Sequence, residues 1–212
     1  MAERDLLSDV AGEERGPEAP PAPLAARLRP GCLADFVGQT HLVGAGKPLR
    51  VVVERGRRHP ISLWGPPGVP NTTLAHLLAE AADARMVLLS AVMAGVKDVR
   101  AAVDRARTDR ARGTATVLFV DEVHRFNKAQ QDAFLPYVED GTITLVGATT
   151  ENPSFEVRSA LLSRARTYRL QALTEDDLGA LLERALRTLG EVRVPPTARG
   201  RLVAAADGAA RR

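Results

Sequence analysis

Two carboxylates close an apolar run, Thr116-Val-Leu-Phe-Val-Asp-Glu122, and their place in it sets what they can do. A short β-branched, apolar segment reads as a buried parallel strand, so Asp121 and Glu122 fall at its carboxyl edge, where α/β sheets bind ligands. At such an edge one acid can hold a hydrated magnesium ion and its neighbour can polarise an attacking water. The same pair can also do no more than face solvent.

Upstream, Ile61-Ser-Leu-Trp64 runs into Gly65, Pro66, Pro67, Gly68, Val69, Pro70, Asn71, Thr72 and Thr73. A loop that cradles phosphates has the pattern G-x-x-x-x-G-K-[ST] between a strand and a helix. Gly65 and Thr72 match it, whereas Pro70 replaces the last glycine and Asn71 the lysine. In a complete loop, backbone N–H groups and the helix dipole wrap the phosphates, the lysine reaches the outer ones and the hydroxyl helps hold magnesium. Pro70 has no N–H, fixes φ near about −65° and drives Val69 toward extended geometry, which predicts a distorted nest of amides. Asn71 puts a short neutral amide where a long cation belongs. A charge-assisted hydrogen bond contributes on the order of 1.5–3 kcal/mol, so affinity for ATP should drop by about tenfold or more from this change alone.

Without the acidic pair, the 65–73 segment would read as a plain Gly/Pro turn. With the pair downstream, Thr72 and Asp121 become candidate magnesium ligands and Glu122 a candidate catalytic residue. Two more residues fit the same plan. Leu145-Val-Gly-Ala-Thr-Thr150 is a strand ending in hydroxyls, and Thr150 can sense a γ-phosphate or simply close a turn. Ser163-Arg-Ala-Arg166 follows, with Arg164 able to act on a neighbouring subunit or to form a surface ion pair.

The elements that position these residues alternate between strand and helix. Strands are expected at 61–64, 86–90, 116–120, 143–146 and 167–170, and helices at 72–82, 97–111 and 127–139. The fold class is therefore α/β, a parallel sheet flanked by helices, over residues 24–173. Thr174 with Asp177 three residues on makes a capping box, and Leu178, Leu181, Leu182, Ala185, Leu186 and Leu189 follow at helical spacing. A partial helical lid is expected over 174–212. Residues 1–23, acidic and then rich in Pro and Ala, have the composition of a disordered tail.

With 212 residues and 45% hydrophobic content, the chain can bury one sizeable core. It has no run of eighteen apolar residues and no signal-peptide pattern, so a cytoplasmic location and no membrane partner are expected. The single cysteine, Cys32, excludes an internal disulfide and is expected to be a small packing residue. A net charge of +3, spread as scattered arginine, leans only weakly toward polyanionic partners.

Several longer stretches carry a specific resemblance. They are Pro23-Leu-Ala-Ala-Arg-Leu-Arg-Pro30, Val37-Gly-Gln-Thr-His-Leu42, Asp121-Glu-Val-His-Arg-Phe-Asn-Lys128, Gln130-Gln-Asp-Ala-Phe-Leu-Pro136 and Gly147-Ala-Thr-Thr-Glu-Asn-Pro-Ser-Phe-Glu156. The sequence resembles AAA+ ATPases, and within them the replication-associated recombination protein A family and its Werner-helicase-interacting relatives. The resemblance implies that Asp121 and Glu122 are the Walker B pair, Thr150 is sensor 1 and Arg164 is an arginine finger acting in trans. It places Val37 and Gly38 beside adenine. It also makes Arg211, in Asp207-Gly-Ala-Ala-Arg-Arg212, the sensor 2 arginine, with Ala209 where the family has aspartate. It further implies ATP and magnesium as cofactors, a homo-oligomer, DNA forks, ends or junctions as partners, and a nucleoid-associated location.

Two departures from the family accompany it: the altered loop, and a chain that stops at Arg212, inside the helix expected to carry sensor 2. Three readings stay open on the sequence. The chain is a DNA-stimulated ATPase, or a non-hydrolysing member of such an assembly that lends Arg164 to a neighbour, or an inactive truncated product.

Overall fold

The computed structural model describes residues 23–190 and 192–209. The tail expected over 1–23, Pro23 apart, lies outside the described residues, as does Arg211. Five strands form one parallel sheet: β1 (Ile61–Trp64), β2 (Ala84–Ser90), β3 (Ala115–Asp121), β4 (Thr144–Thr149) and β5 (Arg166–Arg169). Their order across the sheet is β2-β3-β4-β1-β5. The register pairs Trp64 with Thr149, Trp64 with Arg169 and Ser90 with Asp121, so the carboxyl ends of all five strands share one edge.

The alternation within β3 shows why it sits centrally. Val117 and Phe119 pack into a core on one face of the sheet with Leu49, Val52, Leu74 and Leu78. Leu118 and Val120 pack into a second core on the opposite face with Val99, Ala102, Ala106 and Phe134. A strand buried on both faces is largely apolar, and this one is unbroken from Val117 to Val120 before Asp121 reaches the edge. Each buried Phe or Leu side chain contributes roughly 1.5–3 kcal/mol of burial energy, so the strand end is firmly held.

Helices cover both faces. Short α1 (Leu24–Arg27), α2 (Thr40–Val43) and α3 (Pro48–Glu54) precede the sheet. Next come α4 (Asn71–Ala81) after β1 and α5 (Val96–Ala111) after β2, close to their expected bounds. The single helix expected over 127–139 is instead two, α6 (Lys128–Asp132) and α7 (Leu135–Glu139). Pro136 is the cause: it lacks the N–H that would bond the Asp132 carbonyl, and its ring would clash with that oxygen. Asn127 and Gln130 cap α6 reciprocally at 2.9 Å in each direction.

Short α8 (Pro153–Glu156) and α9 (Ser159–Leu162) lead into β5, and α10 (Glu175–Leu189) and α11 (Pro196–Ala206) follow it. The capping box at the start of α10 forms as expected, with the Asp177 N–H on Thr174 Oγ1 at 3.2 Å and the Thr174 N–H on Asp177 Oδ2 at 3.0 Å. Cys32 differs from expectation. It is exposed, its thiol 3.4 Å from Asp35 Oδ2, because a short 3-10 turn over 33–35 packs Leu33 and Phe36, both half-buried, against the core in its place.

Candidate nucleotide-binding site

The shared carboxyl edge brings the acids and hydroxyls together. Asp121 ends β3, and Glu122 turns out of the strand in the left-handed conformation (φ 54°, ψ 47°) to start a short 3-10 turn over 123–125. A left-handed conformation in a residue with a Cβ is strained by roughly 1–2 kcal/mol, so this turn is held by its surroundings. Part of that hold is Val123, buried against the second core. The turn brings Glu122 Oε2 to 3.4 Å from Thr150 Oγ1, which donates to it. Asp121, Glu122 and Thr150, chosen from sequence for one plan, thus share one edge, and the last two touch.

The sequence reading missed His124. Its side chain is only 9% exposed, and its Nδ1 lies 3.3 Å from Glu122 Oε2 and 2.9 Å from Thr149 Oγ1. The signal for it was present: a histidine two residues after a strand-end acid, on a turn too short to carry it away.

The phosphate loop has a specific distortion. Pro70 adopts φ −81°, ψ 49°, and the Asn71 N–H donates to the Val69 carbonyl at 2.9 Å, an inverse γ-turn around the proline. Two donors are therefore withdrawn from the loop, since proline has none and the next is engaged internally. Asn71 Oδ1 is buried with no hydrogen-bond partner among the described residues. The start of α4 survives, because Leu74 N–H still bonds the Pro70 carbonyl at 3.0 Å. Thr72 and Thr73 occupy its first turn, half-buried, while Pro66 and Pro67 are exposed.

Two loop glycines are required by close approach. At Gly65 a Cβ would lie 2.8 Å from Leu170 Cβ and 2.9 Å from the Leu170 carbonyl, because β1 and β5 converge there. Gly68 has φ +84°, and a Cβ on it would meet Ala209 Cβ at 2.3 Å. The end of α11 therefore folds back onto the loop. Asp207 takes a left-handed cap, and the Gly208 carbonyl accepts from the Leu173 N–H at 3.1 Å.

Val37, Val69, Pro70 and Thr73 line a cavity of about 420 Å³ with Phe36, Leu173, Leu181 and Arg29. Its walls are largely apolar, as a purine requires. Gly38 abuts Leu173 and Asp177. Gln39, which sequence reading did not single out as a site residue, is buried, and its side-chain amide brackets Gln171. Its Nε2 donates to the Gln171 carbonyl at 2.6 Å, and its Oε1 accepts the Gln171 N–H at 2.9 Å. This pairing fixes the segment carrying Val37 and Gly38 against the connection from β5 to α10. From the cavity wall, Arg29 Nη1 reaches to 3.2 Å from His76 Nε2 on α4, and burial, with the Arg29 charge second, holds the His76 pKa below its usual value.

Arg164 is exposed. Its guanidinium pairs with Glu139 at 2.5 Å and donates to the Ala160 carbonyl at 2.7 Å. Nothing in this contact joins it to the Glu122 and Thr150 cluster. Among the described residues, no group of three or more His, Cys, Asp or Glu forms a ready-made metal cage, and no helix is long and apolar enough to cross a membrane.

A strand, a glycine loop, a helix, and an acid-tipped strand two places across the sheet form the arrangement of a P-loop nucleotide-binding fold. Residues 28–175 match the family model of the Holliday junction DNA helicase RuvB P-loop domain. The chain belongs to this family. Like other RuvB-type P-loop domains, it is an AAA+ fold, and it resembles the Thermotoga maritima RuvB Holliday junction branch migration motor with a TM-score of 0.72. That match has 30% identity and covers 87% of this chain and 62% of that one.

Among curated relatives it is 58% identical over 195 residues to replication-associated recombination protein A of Coxiella burnetii, covering 89% of this chain and 44% of the relative. Its identity to the protein of the same name in Escherichia coli K12 is 53% over 196 residues, covering 90% of this chain and 44% of the relative. The chain thus spans less than half the length of these two relatives.

Proposed function

We propose that this chain is the nucleotide-binding domain of an AAA+ factor for replication-fork and recombination maintenance, with ATP turnover impaired at the phosphate loop. The site residues fit ATP and magnesium on two sides and fall short on the third. The apolar cavity beside Val37 and Gly38 suits adenine. Thr72 and Asp121 would hold magnesium, Glu122 would orient and polarise water, and Thr150 would sense the γ-phosphate. Magnesium, when bound with ATP, neutralises charge on the outer phosphates. Gly65, Gly68 and the remaining amides of the loop would cradle those phosphates, lacking the donors withdrawn at Pro70 and Asn71.

The observation that carries this reading is the coexistence of an intact Glu122–Thr150 pair with the Pro70 turn. Catalytic groups persist at an edge whose phosphate cradle is incomplete. By analogy with the relatives' names, DNA forks, ends or junctions are the proposed partners, with the chain acting in a homo-oligomer near the nucleoid. Arg164 is the proposed finger acting on the neighbouring subunit, and this would require it to leave Glu139. Arg211 is the proposed sensor 2 arginine, and the 174–212 segment is proposed as part of a helical lid over the core.

The test is phosphate release with and without DNA by this chain, by Glu122→Gln and by the double variant Pro70→Gly/Asn71→Lys. The proposal expects the double variant to exceed the chain by at least tenfold, and the triple variant that adds Glu122→Gln to it to lose that gain. A double variant no faster than Glu122→Gln would refute it.

A second reading is favoured by the same turn together with the exposed Arg164: a non-hydrolysing subunit that completes a neighbour's site. Mixed with a relative that retains the lysine, the chain would then raise that relative's turnover, and Arg164→Ala would abolish the increase.

A further inference from the structure

The hydroxyl of Thr149 has one proton and two lone pairs, and its neighbours account for all three. It donates to the Glu151 carbonyl at 3.2 Å and accepts the Glu151 N–H at 3.1 Å, closing a small loop after β4. One lone pair is left, and His124 Nδ1 lies 2.9 Å from that oxygen. For this to be a hydrogen bond the proton must come from the ring. The alternative, in which the hydroxyl turns to donate to an unprotonated Nδ1, would set that nitrogen's lone pair against Glu122 Oε2 at 3.3 Å, an acceptor facing an acceptor. Both considerations place a proton on Nδ1.

We propose that His124 is a positioning residue for Glu122. It carries its proton on Nδ1 and uses it to tie the Glu122 carboxylate to the Thr149 hydroxyl at the end of β4. This rests on the reading above that Glu122 is the water-polarising group. Thr150 donates to Oε2 from the strand end, and the His124 Nδ1, paired with Thr149 Oγ1, lies 3.3 Å from the same oxygen on the side of the 3-10 turn over 123–125. The carboxylate is thereby oriented from two elements that meet only at this edge. The ring is nearly enclosed while Glu122 is 33% exposed, so the histidine acts as a buried brace behind an accessible acid. A backbone held in the left-handed region leaves Glu122 dependent on such a brace, because its local conformational preference does not favour the observed geometry. Movement of Thr149 or Thr150 on ligand contact would then be passed to Glu122 through hydrogen bonds rather than through the strand.

The deciding experiment needs neither nucleotide nor turnover, so it separates failure of this inference from failure of the proposed function. Two-bond 1H–15N spectra of the intact chain, with the His124 signals assigned by their loss in His124→Asn, report which ring nitrogens carry protons. The expected result is a protonated Nδ1, with Thr149→Val and Glu122→Gln each shifting the Nδ1 resonance. A ring protonated on Nε2 alone would overturn the proposal, and so would a resonance unmoved by Glu122→Gln. The Glu122 carboxyl 13C resonance should move in His124→Phe and return toward its original position in His124→Asn, whose side-chain NH2 falls near the place of Nδ1. A resonance unmoved in His124→Phe would reduce His124 to a packing residue. Should His124→Phe unfold, the tautomer measured on the unsubstituted chain still decides.

Discussion

The N–H of Asn71 donates to the carbonyl of Val69, at 2.9 Å across Pro70. A phosphate loop works because consecutive amides point outward at the helix mouth, and here the one that follows the proline points back. Pro70 and Asn71 therefore act together. The proline sets the turn, the turn engages the next amide, and the asparagine offers no cation to offset the loss.

Gln39 is expected to be worth more than its polar character suggests. Both ends of its amide serve the Gln171 backbone, so Gln39→Ala removes two hydrogen bonds from a partly buried site and empties a buried position. The expected loss is about 1–3 kcal/mol, read as a lower urea midpoint at unchanged slope. An unchanged midpoint would show that the bracket holds nothing.

The backbone at Glu122 makes a separate prediction. Because φ is 54°, Glu122→Gly should be more stable than Glu122→Ala by about 1 kcal/mol, against the usual order of glycine and alanine. Equal stability in chemical denaturation would mean that the left-handed turn is not maintained in solution.

Two histidines predict how stability responds to acid. Burial holds the pKa of His59 and of His76 below the usual value, with Arg166 second for His59 and Arg29 second for His76. A histidine whose folded pKa is depressed stabilises the fold fully above its unfolded value, near about 6.5, and loses that contribution as pH falls through the folded value. Urea midpoints should therefore be flat above about pH 7 and decline below about 6.5. His76→Gln should weaken the decline, and an undiminished decline in that variant would exclude His76 as a cause.

The strands were legible because each is a short apolar run bounded by turn residues, and the bounds of β1 coincide with Ile61–Trp64. Asp121, Glu122 and Thr150 were legible for a related reason, since polar groups at the ends of buried strands fall on the one edge of a parallel sheet. What stayed hidden depends on contacts distant in sequence. Gln39 meets Gln171 across 132 positions and His124 meets Thr149 across 25; the nearness of His124 to Glu122 is marked locally, but neither of these long pairings is. Pro136 marks the break between α6 and α7, but the apolar period on either side of it is continuous. The distortion at Pro70 was foreseen, but its form, an inverse γ-turn engaging the Asn71 N–H, required the backbone.

Titration of a fluorescent ATP analogue with magnesium, against this chain and against Pro70→Gly/Asn71→Lys, tests the impaired loop most directly. Restoring the outward amides and the cation should tighten binding by at least tenfold, with Pro70→Gly alone recovering part of the gain. Equal affinity in the two proteins would contradict the account.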